Sequence, residues 1–324
     1  MPWQAKGCNA HHVLAPQNIH RYMRNSYYKK NSNNKPNFFI IGAAKCGTTY
    51  FSNILNSHPQ IYIPIFTEPH FYDNDENFQL GFQHYLNTFF KGTHHVYKRG
   101  DCTPEYFHRH TKVIPRLLEC NTNNSLQFIL ILRDPVKRAF SHYLHRVRVY
   151  KESESFEKAL DLEKHRLAEN PDMWASYFQD GLYAQQLKHW FAVFETNQFH
   201  IVFFEDMVSD INRVAKQTFR FLHVKTDVKL QRIGIKNKAS VPKSHAFMRW
   251  LQEPRQFKNW FKPFVPKYTR QLLKERLIKL NLKESNTLSA LDPAMDRYLR
   301  SQYYPDIEAL EKMLDINLNS WKHS

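Results

Sequence analysis

The chain has 324 residues, 42% of them apolar, with 46 Lys and Arg against 30 Asp and Glu for a formal charge of +16. That length and apolar content support a sizeable core. The apolar runs are far shorter than the roughly 18 residues that span a bilayer, and no apolar leader precedes the first strand candidate, so neither a membrane span nor a secretory signal is expected.

Residues 1–35 hold six Lys and Arg and no acid, without sustained periodicity. They read as a basic, polar N-terminal extension, partly disordered, ahead of one domain over 36–324. A second basic stretch, 232–283, carries fourteen cations against Glu253 and Glu275, leaving the rest of the chain close to neutral. Such segments suit anionic substrates or simply solvated faces. The four cysteines, at 8, 46, 102 and 120, have neither CxxC spacing nor disulfide-framework density, so a reducing cytoplasm is the expected compartment.

The first strand is expected over 38–42, where Phe38-Phe39-Ile40-Ile41 runs into Gly42-Ala43-Ala44-Lys45-Cys46-Gly47-Thr48-Thr49. A helix follows over 48–57, with Phe51, Ile54 and Leu55 at helical spacing. A small-residue turn between strand and helix is an anion site, because the first helical N–H groups lack partners and the helix dipole favours negative charge. Lys45 adds a full charge, Gly47, Thr48 and Thr49 add amides, and the threonines add hydroxyls. Cys46, at the same helix start, is expected to have a lowered thiol pKa. The turn departs from the Walker pattern, since Lys45 precedes Gly47 by two residues.

Next comes Thr67-Glu68-Pro69-His70-Phe71-Tyr72-Asp73, a loop with two carboxylates and a His among aromatics. A weak strand is expected at 95–98 and a strong one at 126–132. The latter ends in Arg133-Asp134-Pro135 and a helix over 135–150. A cation thus comes first where a nucleotide-binding Mg²⁺ site would need a carboxylate. Arg133 and Ser141, eight residues on, suit a phosphate monoester. Helices over 154–168, 181–194 and 208–222 and a strand over 199–204 complete an alternation that implies a parallel sheet with helices on both faces. Beyond 223 the pattern is helical and aromatic, and 291–321 reads as two helices separated near Pro305.

Lys45-x-Gly47-Thr48-Thr49 after one strand and Arg133-Asp134-Pro135-x-x-Arg138-x-x-Ser141-x-Tyr143 after a later one resemble the sulfotransferases that use 3′-phosphoadenosine 5′-phosphosulfate (PAPS), among them bacterial enzymes and the heparan/glycosaminoglycan type. The resemblance runs from about 38 to 222 and returns at 291–321, where Tyr304-x-Asp306 and Trp321 resemble the family's closing stretch. It implies a single sulfotransferase domain of α/β class, with a P-loop-like central parallel β-sheet and a mostly helical C-terminal part. It also implies PAPS as cosubstrate, the product 3′-phosphoadenosine 5′-phosphate (PAP), and no metal. The first motif, with Lys45, Cys46, Gly47, Thr48 and Thr49, would hold the 5′-phosphosulfate. Arg133 and Ser141 would hold the 3′-phosphate, with Lys238 from a basic loop closing over it. Glu68 matches the family's general base, with His70 and Asp73 positioning base and acceptor and His70 the runner-up base. Tyr183 is a candidate for the acceptor cleft or for the core.

One departure stands out: Asp101-Cys102-Thr103-Pro104-Glu105-Tyr106 has a neutral Cys where relatives often carry Lys, so an assisting cation would come from elsewhere or the acceptor differs. The expected reaction is in-line sulfuryl transfer to a hydroxyl, or else an amine, of a carbohydrate, lipid or natural product, an anionic glycan included. Three rivals remain at this level: a P-loop-type Mg-nucleotide phosphotransferase, a basic nucleic-acid-binding protein, and an inactive scaffold. A stable nucleic-acid partner is not expected, because it would leave both phosphate motifs and Glu68-x-His70 unexplained.

Overall fold

The computed structural model describes residues 34–65, 67–121, 126–149, 151–170, 176–228, 230, 240–242, 282–284 and 291–323. Of the expected N-terminal extension, Asn34 and Lys35 fall within these, and Lys35 Nζ donates to the Cys120 carbonyl at 3.2 Å. Most of 232–283, Lys238 included, lies outside the described residues.

The core is a five-stranded sheet of β1 (Phe38–Gly42), β2 (Ile61–Tyr62), β3 (Lys98–Cys102), β4 (Gln127–Leu132) and β5 (Phe199–Phe203). The order is β2-β3-β1-β4-β5, and every pairing is parallel. Phe38 to Ile41 and Phe128 to Leu132 are fully buried, as central strands covered on both faces must be, which is why they read as unbroken apolar runs. The connections are α1 (Thr48–Leu55), α2 (Asp75–Gln79), α3 (Phe82–Phe89), α4 (His110–Cys120), α5 (Pro135–Arg148), α6 (Phe156–Glu169) and α7 (Tyr183–Phe191). After β5 come α8 (Phe204–Ser209), α9 (Ile211–Phe221), a small antiparallel pair β6 (Ser240–Pro242) and β7 (Leu282–Glu284), α10 (Pro293–Leu314) and α11 (Asn319–Lys322).

Strand β2, helices α2, α3 and α4 and the β6–β7 pair had no counterpart among the sequence expectations, and three expected elements come out differently. The weak strand lies at 98–102 rather than 95–98, because its polar residues are satisfied internally. Lys98 Nζ donates to Gln127 Oε1, and Asp101 accepts from Tyr85 and Tyr106. Gly100 leaves room for the Phe38 ring, which a Cβ would overlap. The expected 208–222 helix is two, divided at Asp210, whose side chain accepts from the Arg213 N–H and caps α9. The break expected near Pro305 does not occur; α10 runs through it. Leu299 and Tyr303 on one side and Ile307 and Leu310 on the other are all buried. That packing outweighs the one backbone hydrogen bond proline removes.

Helix α10 also braces the carboxyl end of the sheet. The Asp306 carboxylate accepts from the Ala184 and Gln185 N–H groups at 3.0 Å each, capping the start of α7 from outside. Buried Arg300 donates to Asp134 at 3.1 Å, to Asp296 at 2.7 Å and to the Trp321 carbonyl at 2.7 Å.

Candidate active site

The turn after β1 reverses through two left-handed residues, Lys45 (φ 72°) and Gly47 (φ 86°). Glycine is needed at 47: a Cβ there would stand 2.8 Å from Met207 Cε and 3.1 Å from the Phe204 ring. The opening N–H groups of α1 have no intrahelical acceptor, and its first turn holds no acid. Thr48 is buried and Thr49 is exposed. Lys45 is half-buried, and the pKa of its ammonium is pushed down to about 8 by burial and then by the Arg148 charge, against Glu68 and Glu105.

Cys46 corrects an expectation. Its N–H turns back to the Ala43 carbonyl at 3.1 Å, and its thiol is buried 3.7 Å from the Tyr183 hydroxyl. Burial pushes the thiol pKa up to about 11 rather than down.

β4 lies beside β1 in the sheet, so Arg133 emerges next to the cradle. Its guanidinium stacks 4.6 Å above the Phe204 ring and donates to the Lys45 carbonyl at 3.4 Å, while its buried Nε has no partner. Asp134 caps α5, accepting from the Val136 and Lys137 N–H groups. Ser141 is half-buried in the second turn of α5. Tyr183 belongs to the core: it is 1% exposed, and its hydroxyl donates to the Arg133 carbonyl at 2.9 Å.

The Glu68 loop hangs on the end of β3. Thr103 Oγ1 accepts from the His70 N–H at 3.4 Å and donates to Asp101; the Tyr106 hydroxyl accepts from the Phe71 N–H at 3.1 Å and also donates to Asp101. Burial raises the Asp101 pKa to about 6 against these donors. His70, at φ 47°, turns Nδ1 to Asp73 at 3.0 Å and Nε2 to Glu68 at 3.4 Å and Glu105 at 4.0 Å. Arg109 reaches Asp73 at 3.3 Å. Burial opposes the imidazolium, but the hydrogen bonds to Asp73 and Glu68 and the Glu105 charge outweigh it and push the His70 pKa up to about 11. Glu68, at 39% side-chain exposure, is the carboxylate of this cluster most open to solvent.

Glu105, Arg109 and Arg148 are the neighbours that sequence reasoning missed. Glu105 is buried, one of its oxygens has no hydrogen-bond partner, and burial plus the Glu68 charge push its pKa up to about 8. The signal for it was Thr103-Pro104-Glu105-Tyr106, hidden because the preceding strand was placed too early. Cys102 is buried with its thiol pKa well above the ordinary value, so it brings no charge. Glu68, His70 and Glu105 bring one potential metal-ligand atom each within 4.8 Å of one another. A metal there would first have to displace the proton His70 holds.

The family model described as "Sulfotransferase domain" matches residues 35–264. Heparan sulfate glucosamine 3-O-sulfotransferase 5 of Mus musculus is 31% identical over 174 residues, 52% of this chain and 47% of the relative. Carbohydrate sulfotransferase 15 of Homo sapiens is 24% identical over 245 residues, 58% of this chain and 44% of the relative. The chain thus spans about half the length of the curated relatives it matches. The crystal structure of a sulfotransferase from Alicyclobacillus acidocaldarius superimposes with a TM-score of 0.65 at 25% identity, over 89% of this chain and 99% of that one.

Proposed function

The chain belongs to the sulfotransferase domain family, and from that premise we propose that it moves a sulfuryl group from PAPS to a hydroxyl of a carbohydrate acceptor. The observation that carries this reading is the hydrogen bond from Arg133 to the Lys45 carbonyl, which joins two anion-binding motifs at neighbouring strand ends. A nucleotide with phosphates at both its 3′ and 5′ positions answers both. The orphaned Arg133 Nε and the unpartnered amides of the first α1 turn are the donors such a ligand would take.

Lys45 and the amides of Gly47, Thr48 and Thr49 hold the 5′-phosphate and stabilise charge developing on its leaving oxygen. Arg133 and Ser141, with Lys238, hold the 3′-phosphate. Glu68 takes the acceptor's proton, and His70, fixed by Asp73, orients Glu68. Carbohydrate is the acceptor class because both curated relatives are named for it.

The carboxylate that follows β4 is not free to serve the Mg-nucleotide rival. Asp134, after β4, spends one oxygen on the α5 N–H groups and pairs the other with Arg300. A reducing compartment such as the cytoplasm suits the buried free thiols of Cys46, Cys102 and Cys120. No helix among the described residues is long and apolar enough to cross a membrane.

Thermal shift with PAP, adenosine 5′-phosphate and Mg·ATP tests the reading. At ~100 times its dissociation constant a ligand adds about 2.7 kcal/mol, several degrees for a domain of this size. PAP should shift the transition most. A shift with Mg·ATP and none with PAP would overturn the reading.

A further inference from the structure

Glu68, His70 and Glu105 converge from two separate segments of the chain. His70 Nε2 stands 3.4 Å from Glu68 Oε2 and 4.0 Å from Glu105 Oε2, and one ligand atom from each side chain falls within 4.8 Å of the other two. Two ligands of a tetrahedral zinc ion, each about 2.0–2.1 Å from the metal, are about 3.4 Å apart. Glu68 and His70 already stand at that spacing, and Glu105 has to close on His70 by roughly half an ångström. Glu68 is more than a third exposed, so its carboxylate has room to adjust.

Two further observations point to a cation here. Glu105 is buried, and the oxygen it turns toward His70 accepts no hydrogen bond. A buried carboxylate oxygen without a donor is costly, and a metal ion removes that cost. On the far side of the imidazole, Asp73 holds Nδ1 at 3.0 Å and is itself paired with Arg109 at 3.3 Å. A carboxylate behind the ring is the support that fixes a ligating histidine and leaves its other nitrogen to the metal. The His70 backbone is fixed as well, its N–H donating to Thr103 Oγ1 at 3.4 Å and its carbonyl accepting from Asn77 at 2.9 Å. The ligand set is therefore held in place before an ion arrives. No other trio of His, Cys, Asp or Glu among the described residues brings its ligand atoms so close.

We propose that Glu68, His70 and Glu105 form a binding site for a divalent cation of the zinc class, and, resting on the sulfuryl-transfer reading, that the bound ion stops turnover by ligating Glu68. One imidazole and two carboxylates suit Zn²⁺ better than Mg²⁺, which favours octahedral shells of oxygen. On binding, the His70 Nε2 proton goes to solvent and the nitrogen's lone pair goes to the metal, with nothing oxidised or reduced. A carboxylate shared with a dication is a far weaker base, so the metal and the acceptor's proton compete for Glu68. Chelation reverses the block.

Calorimetric titration of the chelator-stripped full chain with zinc chloride tests the site without PAPS or an acceptor. The parent should bind one zinc ion tightly, and Glu105→Gln and Glu68→Gln should each weaken that binding by about tenfold or more. Glu68 is the more exposed of the two, so Glu68→Gln carries the test if Glu105→Gln fails to fold. Co²⁺ gives a second readout: visible absorption bands in the parent that either variant loses. With PAPS and an oligosaccharide acceptor, parent turnover should fall about tenfold or more as the site fills, and return with EDTA. Glu105→Gln, measured against its own metal-free rate, should resist the same zinc concentration. Equal zinc affinity in the parent and both variants overturns the inference, as does full turnover with the site filled. A parent that binds zinc as expected yet transfers no sulfuryl group when metal-free would instead overturn the reading beneath it.

Discussion

Lys45 enters the cradle with its charge opposed by burial and by Arg148, at a pKa of about 8. A bound 5′-phosphate reverses that balance and restores the proton, so PAP binding near pH 8.5 should take up protons and weaken as pH climbs past 8. Calorimetry in buffers of different ionisation enthalpy should show this uptake in the parent and none in Lys45→Arg, whose guanidinium stays charged. Equal uptake in both would place the titrating group elsewhere. Glu68 acts at the same scale. It is the open carboxylate of its cluster, held 3.4 Å from His70. Glu68→Gln should lose at least a hundredfold in kcat while PAP still binds within about twofold. Retention of most turnover would move the base to His70, although an imidazole already holding its proton is poorly suited to take another.

Among the elements, what the sequence revealed depended on whether a segment's meaning was contiguous. β1 and β4 were legible because strands buried on both faces must be apolar throughout, and the turn after β1 was legible because a cradle is one short run. β3 was not: Lys98 and Asp101 sit in it only because Gln127, Tyr85 and Tyr106 meet them from elsewhere. The continuity of α10 through Pro305 was hidden for the same reason, since it rests on buried neighbours and on Asp306 capping α7. In the site, Glu68, His70 and Asp73 stood together in the chain, whereas Glu105 and Arg109 reach them only across the end of β3. Arg148 was one cation among four on α5, of which Lys137 and Arg138 meet a carboxylate among the described residues, and that division is a property of the packing.

At the scale of the whole molecule, the carboxyl ends of β1, β3 and β4 gather the cradle, Glu105 and Arg133 at one edge of the sheet, where ligands of parallel sheets bind. The far end of the chain returns to hold that edge: Arg300 of α10 is buried and bonded to Asp134, the cap of α5. Breaking a buried pair strands the remaining charge, at about 3 kcal/mol or more. Arg300→Met should therefore lower the unfolding temperature by several degrees and weaken PAP binding, because the segment bearing Arg133 loses its brace. An unchanged melting curve would show that Asp134 needs no such support.

That brace separates the boundary of the family match from the boundary of a working unit. The family match stops at residue 264, yet Arg300 grips the second motif from α10, Pro293–Leu314. A chain cut where the family match ends would keep every residue assigned here to PAPS and lose the clasp on Asp134. The smallest piece of this protein worth expressing therefore extends through Trp321, whose carbonyl receives another of that arginine's hydrogen bonds.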